Sequence, residues 1–523
     1  MKLILSKYYG FFPLIMLFFF YGFKSIYFPI HDYANYYFGG KLLIEQHLSS
    51  SIYFPLEFNR AISATGQAGV FASYAPNTPF LALLFAPFSL LPIAFSKLIF
   101  NSISIVLFIY SLKKIVDFYK IAPLYFLLIP ILFFIPIKNE ILFGQVYFLL
   151  FFLISESWLA FQTGHLKKSA FLFAFAILLK VFPLVLVLFY LFKKQFKYLL
   201  YVAGFGLLLL GFSVFFSGFE IWQYFLTTVL SKASNGEISE PYVANYQSVF
   251  MFLKELLVYE PTLNRTALYN SPELFHSLLL IFKCALIVFG FYITKKVDNL
   301  FMVLSYWMLV MILVSPYGST YTLILLLFLY FALIQSDLSK PKIIAGIALI
   351  FLANDLPTTV FLKYPYPLSY LRLLALILLL ILLLSHFHKH INYKITGILA
   401  LASATIAFAF ANREVSYSQY FLEKESPILI YDFELKDQQL TYSFWNENGE
   451  NKRSIPFKYS YSKPLQQKGN EIICNGISIV SDGSNKRNPM LIDGHMVLYL
   501  SDFDRGIGFY TLRKIMLKST DHE

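Results

Sequence analysis

Charge is what this sequence has least of. Only 14% of its 523 residues are Asp, Glu, Lys or Arg, against roughly a quarter in an ordinary soluble domain, whereas 58% are hydrophobic and 19% aromatic. That shortage excludes a chain built only of soluble domains. Apolar runs of roughly 17–25 residues, enough to cross about 30 Å of hydrocarbon, recur along it. Cysteine is almost missing: Cys284 in an apolar stretch and Cys474 near the end exclude a disulfide framework and a cysteine metal site, though not an intermolecular bond. No Gly-rich phosphate loop, serine elbow or dinucleotide fingerprint occurs, which argues against direct use of a nucleotide. The histidines of "HFHKH" (His386, His388, His390) sit at a basic helix end rather than in a ligand pattern, and no cofactor is expected.

The net charge of +12 is unevenly placed. Up to Asn412 there are 28 Lys/Arg against 15 Asp/Glu, and from Arg413 onward 14 against 15. The excess lies in short turns between apolar runs, such as Lys113/Lys114/Lys120, Lys193/Lys194/Lys197 and Lys295/Lys296, as the positive-inside rule requires of cytoplasmic loops. A nucleic-acid partner is not implied. The first run, Tyr8–Phe28, follows Lys2 and Lys7 but is too long for a signal core and lacks a cleavage site, so it reads as a retained helix. With the N-terminus inside, residues 29–77, 218–275, 316–318 and 357–366 fall on the outer side.

Apolar runs at 121–137 and 141–161 are separated by the polar Lys138–Glu140. Two stretches do not fit one crossing each. Residues 78–111 contain Pro87 and Pro92 and predict a broken helix; residues 169–192 have basic flanks at both ends, so they go out and return with Lys180 and Pro183 at the apex. Short broken helices at membrane depth are tolerated where they line a cavity in the protein. The expectation is a polytopic α-helical protein of about 11–13 transmembrane helices over residues 1–412, integral to the cytoplasmic membrane. Residues 413–523 alternate polar and apolar in "ILIYDFEL", "QLTYSFW", "IPFKYSYS" and "GHMVLYLSDF", which predicts a small β-rich extracytoplasmic domain.

Four places on the outer side interrupt the apolar pattern. "IHDYANYYFGG" sets Asp32 among His31, Tyr33, Asn35, Tyr36 and Tyr37; in a helix Asp32, Asn35 and Tyr36 share a face, and the alternative is an interfacial aromatic belt with a solvated acid. "FASYAPNTPF" carries Tyr74 into a crossing. Lys180, inside "LLKVFPL", either binds an anion or snorkels to the headgroups. "NYQSVFMFLKELL" gives Asn245 and Gln247 a polar position ahead of an amphipathic helix.

Taken in order, the Asp-Tyr pair after the first helix, "SSIYFP" (Ser50–Pro55), the Tyr74-x-Pro76-x-x-Pro79 lead, "FGQVYFLLFFL", "LLKVFPLVLVL" and "NYQSVF" resemble glycosyltransferase family 87. These are polyprenol-phosphate-mannose-dependent enzymes of the C-type integral-membrane superfamily, and the likeness covers roughly residues 25–335. The resemblance implies transfer of a hexose, mannose-like, from a polyprenyl-phosphate-linked donor to a glycan or glycolipid acceptor on the outer face, with inversion and without a required metal. Asp32 would be the general base and Lys180, before Pro183, the residue at the donor phosphate. His31, Tyr33, Tyr36, Tyr74, Gln145, Asn245, Gln247 and Tyr321 complete the candidate substrate-binding set. One departure is plain: where the family carries a Trp/His-rich stretch before a late helix, this chain has "SPYGSTY" (Ser315–Tyr321). A transporter or flippase of a lipid-linked sugar is the alternative from another class, and it would favour internal repeats, of which none is found. An O-antigen polymerase or ligase leans on loop arginines, and the two large outer loops hold only Arg60 and Arg265.

Overall fold

A computed structural model describes residues 9–30, 32–67, 70–238, 240–243, 245–261, 263–410, 418–422, 429–446 and 449–517. The expected domain boundary at Asn412/Arg413 lies outside them. The described chain is mostly helical up to Phe410 and all strand and turn from Gln419 onward. The central helix Leu300–Val314 is apolar on every side and buried from Phe301 to Leu313, and the segment Thr320–Ile334 lies buried beside it, as a helix without a polar stripe must be. Around them stand helices that bury one side only. Phe12–Tyr27 buries Leu14 and Phe18 yet exposes Phe19, Phe20 and Phe23, and Phe196–Ser217 leaves Phe215 81% exposed. Soluble surfaces rarely carry apolar patches of that extent; a bilayer suits them.

Four helices, Ile93–Tyr119, Phe196–Ser217, Pro272–Lys296 and Leu368–Phe387, are long and apolar enough to cross a membrane, and the pair Leu124–Leu132 and Phe134–Phe143, bent by 62°, makes a fifth candidate. The expected breaks are present: Pro87 and Pro92 separate helix Pro79–Phe85 from Ile93–Tyr119, and Lys180 ends helix Leu166–Leu179 before the short helical turns Phe182–Leu186 and Val187–Phe192. One boundary differs from expectation. Lys138–Glu140 does not separate two helices but lies within helix Phe134–Phe143; the helix ends at Gly144, whose φ of +66° a residue with a Cβ resists.

The strands form three antiparallel sheets. Leu429–Lys436, Gln439–Asn446 and Gly449–Pro456 make one, the first two joined through Asp437 and Gln438, both at positive φ as a two-residue hairpin turn requires. The five-stranded sheet runs Gln419–Tyr420, Thr511–Met516, Met496–Ser501, Lys486–Ile492, Ser462–Pro464. Ile430, Phe433, Leu440 and Tyr442 from the first sheet meet Leu498, Leu500 and Leu512 from the second, the inner faces of alternating strands. Gln466–Lys468, Glu471–Cys474 and Ile477–Val480 make the third. "IPFKYSYS" is strand to Pro456 and again at Ser462; between them the turn residue Gln438 takes over, its side chain bonding the N–H and C=O of Tyr459.

This region contains a buried pair. The Lys486 ammonium bonds the Asp482 carboxylate, the Asn470 carbonyl (2.7 Å) and the Ser484 carbonyl (3.0 Å). Burial pushes the Asp482 carboxyl up, but the hydrogen bonds from Lys486 and Ser484 outweigh it and hold the group below its usual range. Its contribution to stability is therefore present above the ordinary carboxylate pKa and lost as pH falls through the depressed value. Lys486→Ala leaves a buried carboxylate uncompensated and should cost about 3–5 kcal/mol. Limited proteolysis of the full-length protein should show residues 429–517 cut earlier in the variant; equal resistance would mean the pair is not structural.

Candidate active site

The candidate site is centred where Gln145 meets helix Tyr33–Ile44. Helix Tyr33–Ile44 starts at Asp32, whose side chain does not cap its own helix. Instead the Asp32 carboxylate accepts from the Gln145 amide N–H at 2.5 Å, and the Gln145 carbonyl oxygen accepts from the Tyr36 hydroxyl at 2.5 Å. Asp32 and Tyr36, one turn apart on the same face, are thus bridged by one neutral side chain. Gln145 is aimed there by Gly144: the backbone turns back through the left-handed residue, and a Cβ at Gly144 would lie 2.9 Å from Tyr33.

Lys180 enters from the other side. Its backbone is extended at the end of helix Leu166–Leu179, and its ammonium donates to the Asn77 side-chain carbonyl at 2.8 Å while lying 5.6 Å from the centre of the Tyr36 ring and 5.9 Å from that of Tyr147. Among the described residues no carboxylate pairs with it directly; Asp32 and Glu140 are the acids whose charge reaches it. Tyr147 in turn lies 5.1 Å from Tyr321, ring to ring, and bonds Thr322. Asp32, Tyr36, Gln145, Lys180 and Tyr321 therefore belong to one cluster.

The other candidates sit differently. Tyr33 turns into the packed interior and shares a hydrogen bond with Ser96 at 2.6 Å. Tyr74 donates to the Thr78 carbonyl at 2.9 Å and so shapes the turn that presents Asn77. Gln247 donates to the Ser369 carbonyl at 3.0 Å, beside Gly318, which packs on the Gln247 backbone; Asn245 is exposed. His31 lies outside the described residues. His386 faces Asp337 at 3.5 Å, His388 bonds the Ser385 carbonyl, and among the described residues no three His, Cys, Asp or Glu side chains converge as metal ligands would.

Asn77, Tyr147, Glu140 and Lys97 join the site without having been singled out in the sequence. Glu140, fully buried, accepts from the Phe148 N–H at 2.9 Å, which places a carboxylate at the first turn of helix Tyr147–Gln162 where free N–H groups and the helix dipole favour it. Helix Phe134–Phe143 is secured at both ends by groups of matching sign. Asp355 accepts from the Ile135 N–H at 2.7 Å at its start; at its end Lys97 donates to the Leu142 carbonyl at 2.6 Å and Asn101 to that of Ile141 at 2.9 Å. The polar triplet "KNE" (138–140) in an apolar run was the one available signal; the partners lie 40 to 220 residues away.

Removing the Lys97 ammonium strands the buried Leu142 carbonyl. Lys97→Met should destabilise the protein by about 1–3 kcal/mol, read as a lower unfolding temperature in detergent micelles. An unchanged temperature would show that the helix end holds without its cap.

Known proteins add one finding. No curated protein and no solved structure matches the chain. The model of glycosyltransferase family 87 matches residues 75–316, a segment that contains Asn77, Gln145, Lys180 and Gln247 and leaves Asp32 and the β-rich region outside. The resemblance carried by the ordered motifs is borne out there, and the helical part of this chain is similar to the membrane glycosyltransferases of family 87.

Proposed function

We propose that the protein is an inverting membrane glycosyltransferase that moves a mannose-like hexose from a polyprenyl-phosphate-linked donor to a glycan or glycolipid acceptor on the outer face of the membrane. The observation that carries this reading is the pairing of one carboxylate and one ammonium around Tyr36, each held by a neutral amide and neither neutralised by the other. In the reaction the acceptor hydroxyl attacks the anomeric carbon and its proton passes to Asp32. The bond from that carbon to the phosphate oxygen breaks with its electron pair leaving on the phosphate, and Lys180 stabilises the negative charge that gathers there. A phosphate leaves without help from a strong acid, so one carboxylate suffices, unlike the paired acids of glycosidases. The Tyr36, Tyr147 and Tyr321 rings supply the apolar and aromatic surface against which a sugar and the first prenyl units rest.

The same reading sets the topology. About 11–13 crossings with a cytoplasmic N-terminus put Asp32, Lys180 and the β-rich region on the outer side, in keeping with the basic turns. A reporter fused at Glu523 should be active only outside the cytoplasm; cytoplasmic activity would remove the outer site with it.

Asp32→Asn keeps the size of the side chain and its bond to Gln145 while removing the base, so transfer should fall about 10²–10⁴-fold with insertion unchanged. Lys180→Ala should weaken use of the donor more than use of the acceptor, and Lys180→Arg should retain part of it, since charge persists while geometry changes. The assay is product formation from a labelled polyprenyl-phosphate sugar in membranes. If Asp32→Asn turns over as the parent does, the base lies elsewhere. A protein that moves the lipid-linked sugar across the membrane without making a glycosidic bond would be a flippase.

A further inference from the structure

The β-rich region does not simply lie against the helices; one of its loops is threaded into them. Asp502–Tyr510 joins strands Met496–Ser501 and Thr511–Met516. Asp502 is fully buried, bonds the Asn485 backbone and side chain at 2.9 and 2.7 Å and the Gly508 N–H at 2.9 Å, and pairs with Lys232 at 3.4 Å. Asp504 takes both its bonds from Lys254, at 2.7 and 2.8 Å, and that lysine is itself 4% exposed. Gly506 packs on the Ile238 carbonyl, Ile507 belongs to the same buried core as the membrane helices, and a Cβ at Gly508 would lie 3.1 Å from the Phe54 ring.

These contacts reach two different walls of the candidate site. Phe54 follows Tyr53, whose hydroxyl donates to the Asn77 carbonyl at 2.9 Å, and the Asn77 side chain receives Lys180. Lys254 lies on helix Val249–Leu257, which starts at Ser248; the Ser248 hydroxyl donates to the Pro316 carbonyl at 2.6 Å, at the head of the segment that carries Tyr321 and Thr322. The tyrosine cluster joins the two walls inside the site, and the loop ties them a second time from outside it.

We propose that the loop Asp502–Tyr510 is a positioning element: by gripping Phe54 on one side and Lys254 on the other, it fixes the spacing between the wall that holds Lys180 and the wall that holds Tyr321. This rests on the reading of the site as a lipid-phosphate-sugar site. The ligand whose binding depends on that spacing is the one that touches both walls, a polyprenyl phosphate whose phosphate meets Lys180 and whose prenyl chain or sugar meets the tyrosines. A spacing error near 1 Å is enough to matter at such a site.

The test uses the full-length protein in lipid nanodiscs, in a parent carrying Cys284→Ala and Cys474→Ala. The first arm is docking. A single Ile507→Cys should resist a membrane-impermeant maleimide in the parent and react readily when Asp504→Ala is added, with Asp504→Glu restoring most of the protection. The second arm is binding of a polyprenyl phosphate without sugar, followed by its thermal stabilisation of the protein. Its half-saturating concentration should rise about tenfold in Asp504→Ala and return most of the way in Asp504→Glu. Lys254→Ala should add little to Asp504→Ala in either arm, because both remove the same bond. Equal labelling of Ile507→Cys with and without Asp504→Ala overturns the clasp, and release of the loop with unchanged lipid-phosphate binding overturns its link to the site. A parent that binds the lipid phosphate in this way yet forms no glycosidic bond counts against the proposed transfer and leaves the positioning role standing; a parent that does not bind it overturns both.

Discussion

Asp32 and Lys180, facing each other across Tyr36, are each held by a neutral amide. Gln145 donates to Asp32, and Asn77 accepts from Lys180. The choice has energetic consequences. Had carboxylate and ammonium met directly, the pair would have satisfied itself, and a substrate would have had to break a buried ion pair worth several kcal/mol to use either group. An amide supplies a charge-assisted hydrogen bond, about 1.5–3 kcal/mol, and leaves the net charge in place. The cluster is therefore oriented but not neutralised, which is what the roles proposed for Asp32 and Lys180 require. The surrounding structure must offset the penalty of keeping two such charges partly desolvated.

It does so by fixing the amides rather than the charges. Gln145 is set by the turn at Gly144, which closes helix Phe134–Phe143, and that helix is itself capped at one end by Asp355 and at the other by Lys97 and Asn101. Asn77 is set by Tyr53 and Tyr74, whose hydroxyls bond the carbonyls of Asn77 and Thr78, while the Thr78 hydroxyl bonds the Leu178 carbonyl two residues before Lys180. Both supports use aromatic or charged side chains to satisfy backbone groups that an apolar surround would otherwise leave unpaired. The abundance of tyrosine, 38 in the chain, has a use here: a tyrosine packs as an apolar ring and still brings one hydroxyl to a buried carbonyl.

How much of this could be read in the sequence depended on how local each cause is. The apex at Lys180 was legible because basic flanks on both sides of a short apolar stretch force the chain out and back, and Pro183 marks the turn. The break before Ile93 was legible in Pro87 and Pro92, and the strands Leu429–Lys436 and Met496–Ser501 in their period of two. Asp32 stood out through its company, a histidine, an asparagine and three tyrosines at the end of an apolar run. The polar triplet Lys138–Glu140 stood as the gap between two apolar runs; its members stay helical since Asn139 finds Thr320 at 2.6 Å and Glu140 finds the next helix's N–H groups. Asn77 and Lys97 were invisible for the same reason. Their roles are defined by partners 103 and 45 positions away, and no window of the sequence contains both halves of such a bond.

The segment that matches family 87 and the site do not coincide. Residues 75–316 supply the cation and both amides, but Asp32 comes from the loop before that segment, Tyr321 from just after it, and the loop at Asp504 from the far end of the chain. A carboxylate brought by a separate helix gains its geometry only on assembly, through the single bond to Gln145 and the packing of Tyr33 and Tyr36. In such a site the positions of the charged groups are no better defined than the packing between the segments that carry them. Close junctions occur between the segments, as they do within the family-matched one at Gly290 and Trp307. Gly144 meets Tyr33, Gly318 meets Gln247 and Gly506 meets Ile238, each at a point where the packing leaves no room for a Cβ. Glycine weakens a chain locally by its freedom in the unfolded state; at these three crossings that loss lets two segments approach closely enough to hold the groups they carry in register.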